Sequence, residues 1–183
     1  MNQQEQLEWV QLAKAGDNQA LILLLKSIEP TIYKTAFYFM GNEHDAKDVT
    51  QDALMKVYTK LHTFQEKAQF KTWVQRITTN LCMDYFRKRR EEISIEGSEL
   101  PLTLNENLEE DVETRLILEE VIIEINQLSP ALRAVMILRH LHEFSYQEIA
   151  NALDIPINTV KSHLHRGRDQ LQAVMNKRKG GVH

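Results

Sequence analysis

The stretch Ser145-Tyr-Gln-Glu-Ile-Ala-Asn-Ala-Leu-Asp-Ile-Pro-Ile-Asn-Thr-Val-Lys-Ser-His-Leu-His-Arg-Gly-Arg168 decides the reading of this chain. Ser145 followed three residues later by Glu148 fits a capping box, opening a short helix whose apolar face is Ile149, Ala150 and Leu153. Asp154-Ile155-Pro156 makes a tight turn, and Asn158 can cap a second helix carrying Val160, Leu164 and Leu171. Ala150 is small where the two helices must cross closely, and Ile155 is an apolar plug in the turn. The pattern is a helix-turn-helix over about 145–166. On a helical wheel started at Val160, Thr159, Ser162, His165 and Arg166 point away from the apolar face, with Lys161, His163 and Arg168 on its flanks. A polar, basic helix held from behind by apolar residues is what major-groove reading requires. Arg bridges guanine acceptors, Ser and Thr reach bases or phosphates, and the helix N-terminus favours a phosphate.

Helical periodicity extends outward from this motif. The second helix is expected to run to about Asn176 and leads into Lys177-Arg178-Lys179. Upstream, Ser129-Pro130 reads as a cap followed by Pro at the first helical position, opening a helix over Ala131–His142. Another helix is expected from Val112 to Asn126 through Leu116, Leu118, Val121, Ile122 and Ile125. Further back, Glu91 to Glu110 holds Gly97-Ser98, Pro101 and Asn105 without a sustained period, the composition of a flexible linker that its own acids extend.

The N-terminal part is also helical in pattern. Leu7, Val10 and Ala13 form an amphipathic turn ended by Gly16, and Asp17 or Asn18 caps a helix running through Leu21–Leu25 toward Ser27. Pro30 is expected to break that helix and start a third, with Ile32, Ala36, Phe37 and Met40 on its apolar side. After the Gly41-Asn42 turn, Glu43 to His62 carries Ala46, Val49, Ala53, Val57 and Leu61 as one buried stripe. Thr63 to Gln69 is a polar loop. From Phe70 to about Arg89, Trp73, Ile77, Leu81 and Tyr85 recur as a core face, and Trp73 reads as core on that spacing. No strand alternation or internal repeat is visible. The expected architecture is all-α: two small helical domains, 1–90 and 112–183, joined by a flexible acidic linker, 91–111, with the helix-turn-helix in the second.

Composition narrows the function. The 183 residues are 43% hydrophobic and 26% charged, ordinary globular values. The longest apolar run, Ala20 to Leu25, is far shorter than the roughly 20 residues of a membrane span. The polar opening, Met1 to Glu8, does not read as a secretory signal, so a cytoplasmic protein is expected. A single cysteine, Cys82, allows neither an intrachain disulfide nor a cysteine metal cage. The net charge of −4 hides an uneven distribution. Ala68–Arg90 carries six Lys/Arg against Asp84, Glu91–Glu120 eleven acids against Arg115, and Lys161–His183 six Lys/Arg against Asp169. Two basic blocks around an acidic one point to two contacts with a polyanion.

Catalytic and metal readings find little support. The pairs His140/His142 and His163/His165 stand two apart on helices, about 200° around the axis, so neither can chelate one ion; these histidines read as surface or groove-facing. Asp45, Asp48 and Asp52 share a side of their helix beside Gln51, but the Glu-x-x-His pair of helical di-iron sites is missing. There is no phosphate-binding Gly loop and no nucleophile elbow. No cofactor, metal or small-molecule substrate is therefore expected, and the chain does not read as an enzyme.

Three strings carry a family resemblance. Asp45-Ala-Lys-Asp-Val-Thr-Gln-Asp-Ala-Leu-Met-Lys-Val-Tyr58 resembles the core-polymerase-binding helix of bacterial sigma factors. Phe70-Lys-Thr-Trp-Val-Gln-Arg-Ile-Thr-Thr-Asn-Leu-Cys-Met-Asp-Tyr-Phe-Arg-Lys-Arg-Arg90 resembles their promoter-melting, minus-ten-reading segment. Leu128-Ser-Pro to Arg168 is similar to their minus-thirty-five-reading domain. The strings come in the family's order without the intervening domains of the housekeeping members, which points to the small extracytoplasmic-function class.

The resemblance implies an alternative sigma factor that binds core RNA polymerase, directs it to promoters and helps melt them. By it, Asp45, Asp48, Gln51, Asp52, Lys56 and Leu61 would dock on a coiled coil of the polymerase's largest subunit. Lys71, Arg76, Arg87 and Lys88 would hold phosphates of the nontemplate strand, and Asn80 and Asp84 would read base edges. The loop His62–Gln69 would help hold an extruded base. Asn158, Thr159, Lys161, Ser162, His163, His165, Arg166 and Arg168 would face promoter DNA upstream. An anti-sigma factor is an implied partner, and the acidic linker would thread the polymerase, where it could mimic nucleic acid.

This sequence departs from the family's pattern at Asp154 for a common Gly, His163 for a common Arg, Thr78 for a common Ala and Lys47 for a common acid. The competing reading is a stand-alone helix-turn-helix regulator, which would bind a palindromic site without polymerase.

Overall fold

The computed structural model describes residues 3–96 and 122–179, and among them every regular element is helical. Residues 97–111 of the expected 91–111 linker and residues 112–121 of the expected 112–126 helix lie outside the described residues, as do the side chains of 3, 89–96, 174, 175 and 177–179.

Helix α1 spans Gln3–Lys14 and ends at Gly16, whose φ of +98° favours a residue without Cβ. Asp17 caps α2, Asn18–Met40, accepting from the backbone N–H groups of Gln19 and Ala20 at 2.8 and 3.0 Å. Pro30 does not break α2: one 23-residue helix passes through it, correcting the expectation of two. A mid-helix proline costs about 3 kcal/mol. Leu24, Ile28, Ile32 and Phe39 on the same helix are buried, each worth about 1.5–3 kcal/mol, so packing outweighs the break. Pro30 and Lys26, whose carbonyl loses its partner, both lie on the solvent side, where water can serve that carbonyl.

The chain turns at Gly41 in the left-handed region, and Asn42 caps α3, Glu43–Lys60. The expected stripe of Ala46, Val49, Ala53, Val57 and Leu61 is buried. A short 3-10 turn, Leu61–Thr63, leads through a loop into α4, Phe70–Glu96, which continues into the first residues assigned to the linker. The core face of α4 also differs from expectation. Phe70, Val74, Thr78 and Cys82 are buried, whereas Trp73, Ile77, Leu81 and Tyr85 are half-buried beside them. Buried Thr78 and Thr79 return their hydroxyls to the Val74 and Gln75 carbonyls at 3.0 and 2.7 Å, so polar residues sit inside at little cost.

After the helical stretch 122–127 (α5), Pro130 opens α6, Pro130–His140; α7, Tyr146–Leu153, and α8, Ile157–Lys179, follow. Asn158 lies inside α8 rather than capping it, and the Pro156 carbonyl accepts from Thr159 and Val160 at the helix start.

One apolar cluster joins α1–α4 through Val10, Leu24, Ile32, Val57, Phe64 and Val74. A second joins α6–α8 through Leu132, Val135, Leu138, Ile149, Val160 and Leu164. A third crosses between the halves, with Phe39, Val49 and Cys82 meeting Ala134 and Ile137. The crossing is pinned by Arg133, only 4% exposed, whose guanidinium donates to the Phe39, Asn126 and Leu128 carbonyls and lies 4.7 Å from the Phe86 ring centroid. Burial pushes its pKa down to about 10, which leaves it charged near neutrality. The same burial raises the Cys82 thiol far above its usual range and makes it inert.

Candidate nucleic-acid interface

The helix-turn-helix is held by local chemistry. Ser145 and Glu148 form the full capping box, and Asp154 ends α7 at φ 55°, ψ 47°, a left-handed position that Asp accepts less readily than Gly. The Ile155 N–H closes on the Ala150 carbonyl at 3.1 Å, and Ala150 itself is buried. Val160 and Leu164 fasten α8 to the core. Gly167, which periodicity did not single out, lies against Met136: a Cβ there would sit 2.9 Å from Met136 Cγ, so the helices approach closely because Gly occupies this site.

With that face inward, α8 presents Asn158, Lys161, Ser162, His165, Arg166 and Arg168 to solvent, while Thr159 and His163 are half-buried. The Arg166 guanidinium reaches the Ser162 hydroxyl at 3.5 Å, and His165 Nδ1 lies 2.6 Å from the Asp169 carboxylate. His163 turns toward α4, and burial together with Arg166 lowers its pKa.

On α4, Lys71, Arg76, Asn80, Arg87 and Lys88 are exposed and Asp84 is half-buried, 3.1 Å from Arg87. At its start, Trp73 packs 5.4 and 5.7 Å from the Phe64 and Phe70 ring centroids, a half-buried aromatic group under the 62–69 loop. Helix α1 fixes that loop: Gln11 donates to the Glu66 carboxylate, and Lys14 Nζ to the Phe64 carbonyl at 2.9 Å. Gln6, Leu7, Glu66, Gln69, Phe70 and Lys71 border an open cavity of about 430 Å³ beside it.

On α3, Asp48, Gln51 and Asp52 are exposed and Lys56 half-buried, flanked by two exposed apolar residues absent from the sequence-derived set, Met55 and Tyr58. They follow Gln51 and Asp52 at helical spacing, the signal that could have found them. Two members of the expected set sit elsewhere. Leu61 is 4% exposed and belongs to the core, and Asp45 is largely buried with its carboxylate accepting from Asn42 Nδ2 at 2.8 Å.

Helices α4 and α8 meet at the joint between the halves. Asn80, Met83, Asp84 and Arg87 of α4 share a cavity of about 430 Å³ with Ala131, Leu153, Ile155 and His163. Lys71 donates to the His142 carbonyl at 3.4 Å and lies 5.7 Å from the Phe144 ring centroid. His142, expected at the surface, is 6% exposed in this joint, because the turn after α6 enters the gap between α2 and α4. Among the described residues no group of three His, Cys, Asp or Glu could hold a metal, and no helix is long and apolar enough to cross a membrane.

Comparison with known proteins fits this layout. Residues 24–92 match the Sigma-70 region 2 family and residues 118–171 match Sigma-70, region 4. The chain is 32% identical over 174 residues to the ECF RNA polymerase sigma factor SigW of Bacillus subtilis, covering 89% of this chain and 92% of that protein. It is 30% identical over 175 residues to the ECF RNA polymerase sigma-E factor of Escherichia coli K12, covering 88% and 90% respectively. Its fold matches the sigma factor RpoE, solved with the anti-sigma factor NepR from Bartonella quintana, at a TM-score of 0.71 and 26% identity, covering 83% of this chain and 94% of that one. CnrH, solved with the cytosolic domain of CnrY, shares the fold at a TM-score of 0.71 and 23% identity, over 94% and 98%. The two matched regions fall on the two helical halves described above, and the chain accordingly belongs to the sigma-70 family of RNA polymerase sigma factors, within its extracytoplasmic-function class, the subunits that direct polymerase to particular promoters.

Proposed function

We propose that this sigma factor divides its work among three surfaces, with residues 1–90 and 112–183 as the working domains and 91–111 as their linker. Asp48, Gln51 and Asp52, with Met55, Lys56 and Tyr58, form the surface for a coiled coil of the polymerase's largest subunit. Carboxylates beside exposed apolar groups suit a helical partner carrying basic and apolar side chains. Leu61 and Asp45 support this surface from within.

Helix α4 takes the melted nontemplate strand. Lys71, Arg76, Arg87 and Lys88 hold phosphates, Asn80 and Asp84 read base edges, and the cavity beside the 62–69 loop receives an extruded base. Helix α8 reads the upstream duplex, with Arg166 and Ser162 on base edges and Asn158, Thr159, Lys161, His163, His165 and Arg168 on bases or phosphates. The protein performs no catalysis itself and works in the cytoplasm. An anti-sigma factor is a partner, as NepR is for RpoE.

The observation that carries this reading is the two-faced α8, exposed Lys161, Ser162, Arg166 and Arg168 against buried Val160 and Leu164. The test is binding of the labelled chain to bacterial core RNA polymerase at fixed salt without DNA, followed by promoter binding of the assembled holoenzyme. Saturable polymerase binding is expected. Its absence, together with tight binding of the chain alone to duplex DNA, would favour a free-standing regulator.

A further inference from the structure

We infer that His142 is an acid-sensitive latch between the two halves: neutral, it helps hold the C-terminal domain against α4, and on gaining a proton it weakens that hold. The latch is a junction of three elements. His142 Nε2, from the turn after α6, lies 2.6 Å from Thr35 Oγ1 of α2, and Thr35 Oγ1 lies 3.0 Å from the Gln75 side-chain amide of α4. Thr35 and Gln75 are fully buried and His142 nearly so.

Counting protons selects the state this junction wants. The single Thr35 hydroxyl proton is donated to the Thr31 carbonyl at 2.8 Å or shared with Gln75 Oε1 at 3.0 Å, so toward His142 Oγ1 can only accept. Gln75 faces the hydroxyl with its carbonyl oxygen Oε1, an acceptor, so on this side too no proton comes to Thr35 and the donor must be His142. A neutral His142 carrying its proton on Nε2 supplies it. A second imidazole proton adds charge to a buried site whose neighbouring charges are already positive, Lys71 of α4 and Lys34 of α2. Burial first, then these two lysines, pushes the His142 pKa down to about 4.

Parting the domains returns His142 to water and toward its ordinary value of about 6.5. The open form therefore binds the extra proton, so the latch is at full strength above pH about 6.5 and weakens as pH falls toward 4. Between pH 7.5 and 5.5 the ratio of open to closed chain is expected to rise about tenfold. What opening uncovers is the joint side of α4, with half-buried Met83 and Asp84 next to Asn80, which is already exposed, and calling that promoter-reading rests on the function proposed above.

The test is an intramolecular distance. Lys26→Cys and Gln170→Cys, both at exposed positions on opposite halves, take a donor and an acceptor dye, while buried Cys82 stays unlabelled. The full chain is followed from pH 7.5 to 5.5, with circular dichroism confirming unchanged helicity. The ratio of long-distance to short-distance chains should rise about tenfold in wild type, while for His142→Gln, which still donates to Thr35, it should not change with pH. His140→Asn, whose parent histidine has a lowered pKa but lies at an exposed position away from the junction, should keep the wild-type response. A wild-type distance that does not change with pH, a His142→Gln chain that still opens in acid, or one already open at pH 7.5 would each overturn the latch. Core-polymerase binding at pH 7.5 tests the functional reading separately, and its failure would leave the distance result standing.

Discussion

Helices α4 and α8 carry similar basic character on similar lengths, 27 and 23 residues, yet they use their surfaces differently. Helix α8 is backed on one side by its own small domain, so its outward residues follow from a helical wheel. Helix α4 lies between two layers, packed on α2 and α3 within its own domain and on α6 and α7 across the joint. It therefore has an inner core face, a joint face and a remaining solvent face. A helix with one neighbour shows its function in its hydrophobic pattern; a helix between layers does not.

Breaking the anchor of α8 should have the largest effect. Leu164→Ala removes a side chain 1% exposed, and the expected loss is about 2–5 kcal/mol in chemical unfolding of the chain. Ile77→Ala on α4, half-buried beside its core face, should cost clearly less. Equal losses would mean that α4 is anchored as simply as α8.

The reading surface comes next. Arg166→Ala should weaken holoenzyme binding to the upstream promoter element by about 1–3 kcal/mol while core-polymerase affinity is unchanged. Equal loss of both would show that Arg166 supports the fold rather than the DNA. Asp48→Arg is the converse control: on the order of 1 kcal/mol should be lost from core-polymerase binding, with promoter preference of the assembled complex preserved. Unchanged polymerase affinity would remove Asp48 from the docking surface.

This contrast also explains what could be read before the structure was seen. The α8 face, the capping box and the α3 stripe were legible because each depends on neighbours close in sequence. Pro30 misled because its local cost is smaller than the packing around it. The core face of α4 was misplaced by one position because Gln75, Thr78 and Thr79 count as outward polar residues in any periodic pattern, yet are buried with their hydroxyls on their own helix or, for Gln75, with its amide on Thr35. His142, Arg133 and Gly167 owe their roles to partners far along the chain, in Thr35, Phe39 and Met136, which no spacing rule reaches. Leu61 shows the same limit in reverse: a residue inside a matching string can hold the surface up without being part of it.

The finest distinction between the two helices lies in salt dependence. Neutralising one duplex phosphate contributes about −0.9 to the slope of log affinity against log salt, and one single-strand phosphate about −0.7. If α8 grips duplex and α4 grips a melted strand, each lysine or arginine should affect only one of these slopes. Lys161→Ala should flatten holoenzyme binding to an upstream duplex by about 0.9 while leaving binding to a nontemplate single strand alone. Arg76→Ala should flatten the single-strand slope by about 0.7 and spare the duplex. Both side chains are exposed in the closed chain, so neither substitution removes a buried support of the fold. Slopes that shift together on both DNAs would mean that the two basic helices form one continuous electrostatic surface, and the division of labour would have to be sought in base contacts alone.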